Sequence, residues 1–113
     1  MTRPQFQTVE SALKAYTEAM SGSGNEGLLR AVYPSAPREV ILGLGKTGAG
    51  VKSYFMTIPD PRIKPDGEKA VVDCTIFHNY VANTGRPSTI HEERRLTLER
   101  RADSWIIVDS RRR

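Results

Sequence analysis

Hydrophobic residues first recur at a helical spacing. Val9, Ala12, Leu13, Tyr16 and Met20 fall at i, i+3, i+4, i+7 and i+11, which is one continuous stripe of an amphipathic helix. Thr8 stands where an N-cap belongs, and Glu10 lies in the first turn, favourable toward the helix dipole. Ser21-Gly22-Ser23-Gly24 stops the pattern. Asn25 caps a second, shorter helix carrying Leu28, Leu29 and Val32 and ended by Pro34, and Ser35 with Pro37 opens a third short one through Ile41. From Val51 the period changes. Val51 to Ile58 reads as a strand that Pro59-Asp60-Pro61 bends or confines to an edge, and Pro65-Asp66-Gly67 reads as a tight turn. Ala70 to Val81, Thr89 to Arg100 and Trp105 to Val108 then form three β-rich runs separated by Asn83-Thr84-Gly85 and Ala102-Asp103-Ser104. Strands this close in sequence pair as an antiparallel meander. The expected fold is therefore α+β: two or three N-terminal helices packed on a curved antiparallel sheet of about four strands.

The faces follow from alternation. In the first meander strand the even positions Ala70, Val72, Cys74, Ile76, His78 and Tyr80 are more apolar than the odd ones, and in the second the apolar residues Ile90, Leu96 and Leu98 are again even. Both sets share the helix-facing side only if paired residue numbers sum to an even number, which requires an odd loop. Thr84-Gly85-Arg86, with Gly85 left-handed, meets that need. In this register His78 lies opposite Glu92, Tyr80 opposite Ile90 and Ile76 opposite Arg94. His78 and His91 fall on opposite faces, so they make no metal pair, and no metal is expected. His78, Tyr80, Glu92 and Arg94, with Tyr16 and Met20 from the first helix, form the candidate pocket. Mutual pairing of these polar groups is the simplest account of them. As a catalytic site His78 would be the base, Glu92 its orienter and Tyr80 a hydrogen-bond donor.

Composition narrows the classes. At 113 residues the chain is long enough for one modest core and is read as a single domain over 1–113, with residues 1–7 a loose arm and 111–113 a basic tail. No apolar run reaches membrane-spanning length and no signal peptide opens the chain, which points to the cytoplasm. The net charge is +4, but Glu92, Glu93, Glu99, Asp103 and Asp109 interleave the C-terminal arginines, leaving only Arg111-Arg112-Arg113 uncompensated. That pattern argues against nucleic acid, although the arginine tail could touch an acidic partner. The lone Cys74 reads as a small buried hydrophobe. Gly43 to Gly50 satisfies G-x-G-x-x-G, yet it lacks the phosphate-loop glycine at Val40 and the following crossover helix. It reads as a connector, and no cofactor is expected.

The element order resembles the nuclear transport factor 2-like superfamily, which includes ketosteroid-isomerase-like and SnoaL-like domains. The phrases that carry it are Ala12-Leu13-Lys14-Ala15-Tyr16, Leu28-Leu29-Arg30-Ala31-Val32-Tyr33-Pro34, Pro65-Asp66-Gly67, and Leu96-Thr97-Leu98-Glu99-Arg100 running to Trp105-Ile106-Ile107-Val108. The resemblance implies a sheet wrapped into a cone around the long helix, a small-molecule pocket at the open end, and often a homodimer through the outer face, here lined by Asp73, Thr75, Phe77 and Asn79. It implies a non-catalytic module that binds a small apolar or mixed-polarity ligand or associates with itself. The alternative is a cofactor-independent isomerase, cyclase or hydratase using His78, Glu92 and Tyr80.

Overall fold

The computed structural model describes residues 6–44 and 50–113. Three helices, α1 (Val9–Met20), α2 (Glu26–Val32) and α3 (Arg38–Leu42), precede five strands, β1 (Val51–Thr57), β2 (Arg62–Asp66), β3 (Lys69–Ala82), β4 (Pro87–Arg101) and β5 (Ser104–Arg112). The sheet is antiparallel in the order β1-β3-β4-β5, and β2 pairs with the first part of β3 while β1 pairs with its last part. No helix among the described residues is long and apolar enough to cross a membrane.

Helix α1 starts where a cap is available. The Thr8 hydroxyl accepts from the Ser11 amide, and the Ser11 hydroxyl accepts from the Thr8 amide, a reciprocal capping box. Asn25 caps α2 through its side-chain oxygen, which accepts from the Leu28 amide. The stripe Val9, Ala12, Leu13, Tyr16 and Met20 is buried against Ala70, Val72, Cys74, Ile76, Leu96, Leu98 and Ile107 on the concave side of the sheet. The end of α1 is tied to β1: the Ser21 hydroxyl accepts from the Met56 amide at 3.0 Å, and the Gly22 amide donates to the Tyr54 carbonyl at 2.7 Å.

Several expectations are corrected. The sheet has five strands, because Arg62–Asp66 is a strand rather than part of a bend and turn. Among the described residues it pairs only with β3, so Pro65 removes no donor that a second described neighbour would need. The β3–β4 loop is Asn83-Thr84-Gly85, with Gly85 at φ 88°, one residue earlier than Thr84-Gly85-Arg86. The pairing keeps its even parity but is shifted by two: His78 faces Ile90, Tyr80 faces Ser88, Ile76 faces Glu92 and Cys74 faces Arg94. Ile90 is 59% exposed rather than a core residue, because it lies on the overhanging end of the hairpin. The arm is not loose at Phe6, which is buried, with its amide donating to the Ser104 hydroxyl and its carbonyl accepting from the Trp105 amide. Residues 1–5 of that arm, and residues 45–49 of the glycine connector, lie outside the described residues. Arg111-Arg112-Arg113 is no free tail either. Arg111 and Arg112 are the end of β5, Arg111 pairs with Asp109, and Arg113 pairs with Glu93 and Asp73.

Leu98 is fully buried between α1 and the sheet. Truncation leaves a cavity that a core this small cannot close, so Leu98→Ala should lower unfolding free energy by about 2–5 kcal/mol. Urea denaturation checks this. A loss under about half a kcal/mol would mean that Leu98 is not a core residue.

Candidate functional site

The candidate residues converge on the concave face because β1, β3 and β4 each turn their even positions toward α1. Tyr54 pairs with Tyr80 and Met56 with His78 across β1 and β3, while Glu92 follows Ile90 on β4. His78 reaches Glu92 diagonally, with Nε2 3.1 Å from Oε1. Its other ring nitrogen, Nδ1, lies 2.7 Å from the Tyr54 hydroxyl. The second Glu92 oxygen faces Arg94 Nε at 3.5 Å. Tyr54, His78, Glu92 and Arg94 thus form one connected polar chain drawn from three strands.

The protonation pattern follows from donor and acceptor capacity. An ionised carboxylate only accepts, so His78 Nε2 carries the proton and donates to Glu92. In the neutral ring Nδ1 then accepts from the Tyr54 hydroxyl. Burial raises the Tyr54 hydroxyl well above its ordinary pKa, with the neighbouring Tyr80 adding to the effect, so it stays a donor. Burial by itself would also raise Glu92, but the His78 hydrogen bond and the Arg94 charge outweigh it and hold the carboxyl below its ordinary 4.5. Neither ring nitrogen of His78 is left open, so abstraction of a substrate proton would first have to displace Tyr54 or Glu92.

A cavity of about 220 Å³ adjoins this chain, lined by Tyr16, Met20, Met56, His78, Glu92 and Arg94 among others. Tyr16 and Met20 are themselves buried. Tyr16 meets Tyr33 edge-on at 6.3 Å, and burial raises its hydroxyl pKa. Tyr80 does not line the cavity. Its ring packs on Tyr54 at 5.1 Å. A larger open groove of about 470 Å³ runs between α1 and the β1–β2 link over Leu13, Met56 and Ile58, away from the polar chain. Sequence reasoning missed Tyr54, whose partner lies 24 residues on and depends on long-range pairing of β1 with β3.

On the outer face, Asp73 is buried rather than solvated. Arg95 donates to it twice, at 2.7 and 3.1 Å, and these hydrogen bonds hold its carboxyl below the ordinary 3.8. Burial pushes the Cys74 thiol up to about 11, so it is no thiolate nucleophile at neutral pH. His91 lies on this face, its ring 5.9 Å from Phe77 and on the opposite side of the sheet from His78. Among the described residues no three His, Cys, Asp or Glu side chains gather as a metal site.

No family model and no curated protein matches the chain. Solved structures do. A nuclear transport factor 2-like superfamily protein from Salmonella enterica superposes with a TM-score of 0.67 at 13% identity, covering 88% of this chain and 82% of that one. A putative calcium/calmodulin dependent protein kinase II association domain from Xanthomonas campestris gives 0.66 at 17% identity, over 90% and 81%. The association domain of the same kinase from C. elegans gives 0.54 at 13% identity, over 89% and 85%. The chain has the nuclear transport factor 2-like fold. In this fold the polar chain of Tyr54, His78, Glu92 and Arg94 sits on the concave side of the sheet, and the ion pair of Asp73 with Arg95 sits on its back.

Acid should expose these pairings. Glu92 and Asp73 have folded pKa values below their unfolded ones, so the stability they contribute is fully present above about pH 4.5 and is lost as pH falls through the folded values. The melting temperature should therefore decline as pH drops from 5 toward 3, and Glu92→Gln should make that decline shallower. An unchanged acid profile in Glu92→Gln would show that the His78 and Arg94 contacts carry no linkage.

Proposed function

We propose that this chain is a non-catalytic association module, homo-oligomeric through the outer face of its sheet, whose cone holds at most a small ligand of mixed polarity. The observation that carries this reading is the internal satisfaction of the polar chain. Both nitrogens of His78 and both oxygens of Glu92 are taken by protein groups, so little is presented to a substrate. The cavity, at about 220 Å³, is smaller than the several hundred Å³ of ordinary ligand pockets. The likeness to two association domains supports self-association as the role.

The outer face suits a second copy. Phe55 is 50% exposed there on β1, diagonal to Phe77 on β3, and gives that side of the face an apolar patch. Several charges on this face are paired within the chain: Asp73 with Arg95, Glu93 with Arg113 and Asp109 with Arg111. An apolar patch beside charges already neutralised within the chain lowers the electrostatic cost of bringing two such faces together about a two-fold axis.

Light scattering at micromolar concentration should report a multiple of the 12.6 kDa chain mass. Phe55→Asp, at a half-exposed position that the fold does not need, should halve that mass while the circular dichroism spectrum is retained. A wild-type mass of one chain, or an unchanged mass in Phe55→Asp, would remove the outer face from this role.

A further inference from the structure

One buried hydroxyl on the concave side of the sheet is left over by the packing. Tyr16 is 6% exposed. Its ring meets Tyr33 edge-on, yet its hydroxyl has no hydrogen-bond partner among the described residues. Among those residues no fully enclosed side-chain nitrogen or oxygen lacks a partner, so the Tyr16 oxygen is not sealed inside the core. It opens onto the cavity of about 220 Å³ that Tyr16 lines. Burial keeps the hydroxyl protonated at neutral pH, which makes it a standing donor. A buried donor without a partner opposes folding, and a ligand that accepts from it recovers that loss.

Arg94 adds a second donor to the same space. Its Nε faces Glu92 at 3.5 Å, but its two terminal nitrogens make no hydrogen bond to a described residue. The charges of Arg94 and Glu92 both act on the Tyr16 hydroxyl. Glu92 lines the cavity too, and its carboxylate has accepting capacity beyond the contacts to His78 and Arg94. Met20, Val40 and Met56 supply an apolar wall. Charge then sorts the ligands. His78 is neutral in its pairing, and Arg94 and Glu92 cancel one another. The exposed Glu39 adds a negative charge to the lining. An anion would come to rest beside Glu92 and a cation beside Arg94, each bringing a like charge into a confined space.

We infer that the cavity binds a small neutral carboxamide. Its oxygen accepts from Tyr16 and Arg94, its N–H donates to Glu92, and its apolar part lies on Met20, Val40 and Met56. This inference rests on the reading of the cone as a binding site rather than a catalytic one, and gives that site a ligand class. A carboxamide carries acceptor and donor on one carbon, matching the two donors and the carboxylate, and it has no net charge to desolvate. The volume of about 220 Å³ equals that of about seven waters at about 30 Å³ each. That is room for one aromatic ring or branched chain beside the amide, and too little for a polycyclic ligand.

Benzamide, benzoate, benzamidinium and acetophenone share one shape and differ in charge and in the N–H group. Each is titrated against the whole chain by protein-observed NMR. Benzamide should shift the amides around Tyr16, Glu92 and Arg94. It should bind about tenfold tighter than benzoate or benzamidinium, and several-fold tighter than acetophenone, which has no N–H to give. Tyr16→Phe removes the hydroxyl alone and should weaken benzamide about five- to tenfold. Its melting temperature should hold or rise, because no hydrogen bond within the protein is lost. A lower melting temperature in Tyr16→Phe would reveal a structural partner for the hydroxyl and overturn the inference, as would an unchanged affinity for benzamide. Benzoate or benzamidinium binding as tightly as benzamide would reject a neutral ligand, and acetophenone binding as tightly would reject the amide. No shift from any of the four at millimolar concentration would remove the cavity from this role. The association reading is tested separately: Phe55→Asp should change the assembly mass and leave the benzamide titration as it was, so either reading can fail alone.

Discussion

Everything in this molecule depends on the register between β3 and β4. Thirteen residues of β3 pair with thirteen of β4, and the side-chain period along each strand is two. A slip of one residue would turn Leu96 and Leu98 outward and bring Glu93, Arg95 and Thr97 against α1. The left-handed Gly85 closes a three-residue loop that keeps the parity even, so Ala70, Val72, Cys74 and Ile76 share a side with Leu96 and Leu98. Helix α1 then has one continuous apolar surface to cover. The polar chain of Tyr54, His78, Glu92 and Arg94 continues that same surface toward the C-terminal end of the helix, where Tyr16 and Met20 line a cavity with His78, Glu92 and Arg94.

The legibility of this fold follows the same division. Parity could be read because the hydrophobic pattern penalises an odd sum across the whole hairpin. The absolute register could not, since a shift by two leaves every side chain on its own face and only moves the turn by one residue. His78 and Glu92 therefore emerged on one face from sequence reasoning alone, though as direct rather than diagonal neighbours. Helix α1, with its capping box and stripe, is local and was fully readable. Tyr54, Phe6 and β2 were not, because each is defined by a partner far along the chain: His78, Ser104 with Trp105, and the first half of β3. The three prolines between residues 59 and 65 concealed β2, since a proline signal cannot distinguish an outer strand from a turn.

The arginines show how local electrostatics fits the same frame. Cross-strand pairing sets Arg94 against Arg112 and Arg95 against Arg111, two like-charge pairs that would oppose docking of β5. Glu92, Asp73 and Asp109 bond to Arg94, Arg95 and Arg111 respectively, and Glu93 holds Arg113. The acids interleaved in the sequence are therefore what allow an arginine-rich strand to close the sheet, and the basic C-terminal end is structural before it is a surface for any partner.

One latch has a spectroscopic consequence. Phe6 bonds through its backbone to Ser104 and Trp105, joining positions 98 residues apart in the chain, and Trp105 is the molecule's only tryptophan. Its half-buried indole packs against the core next to that junction. Intrinsic fluorescence from this protein is therefore a local gauge of whether the N-terminal segment is seated on the β4–β5 turn. A red shift that precedes loss of the far-ultraviolet signal would mark fraying of this seam while the cone itself is still intact.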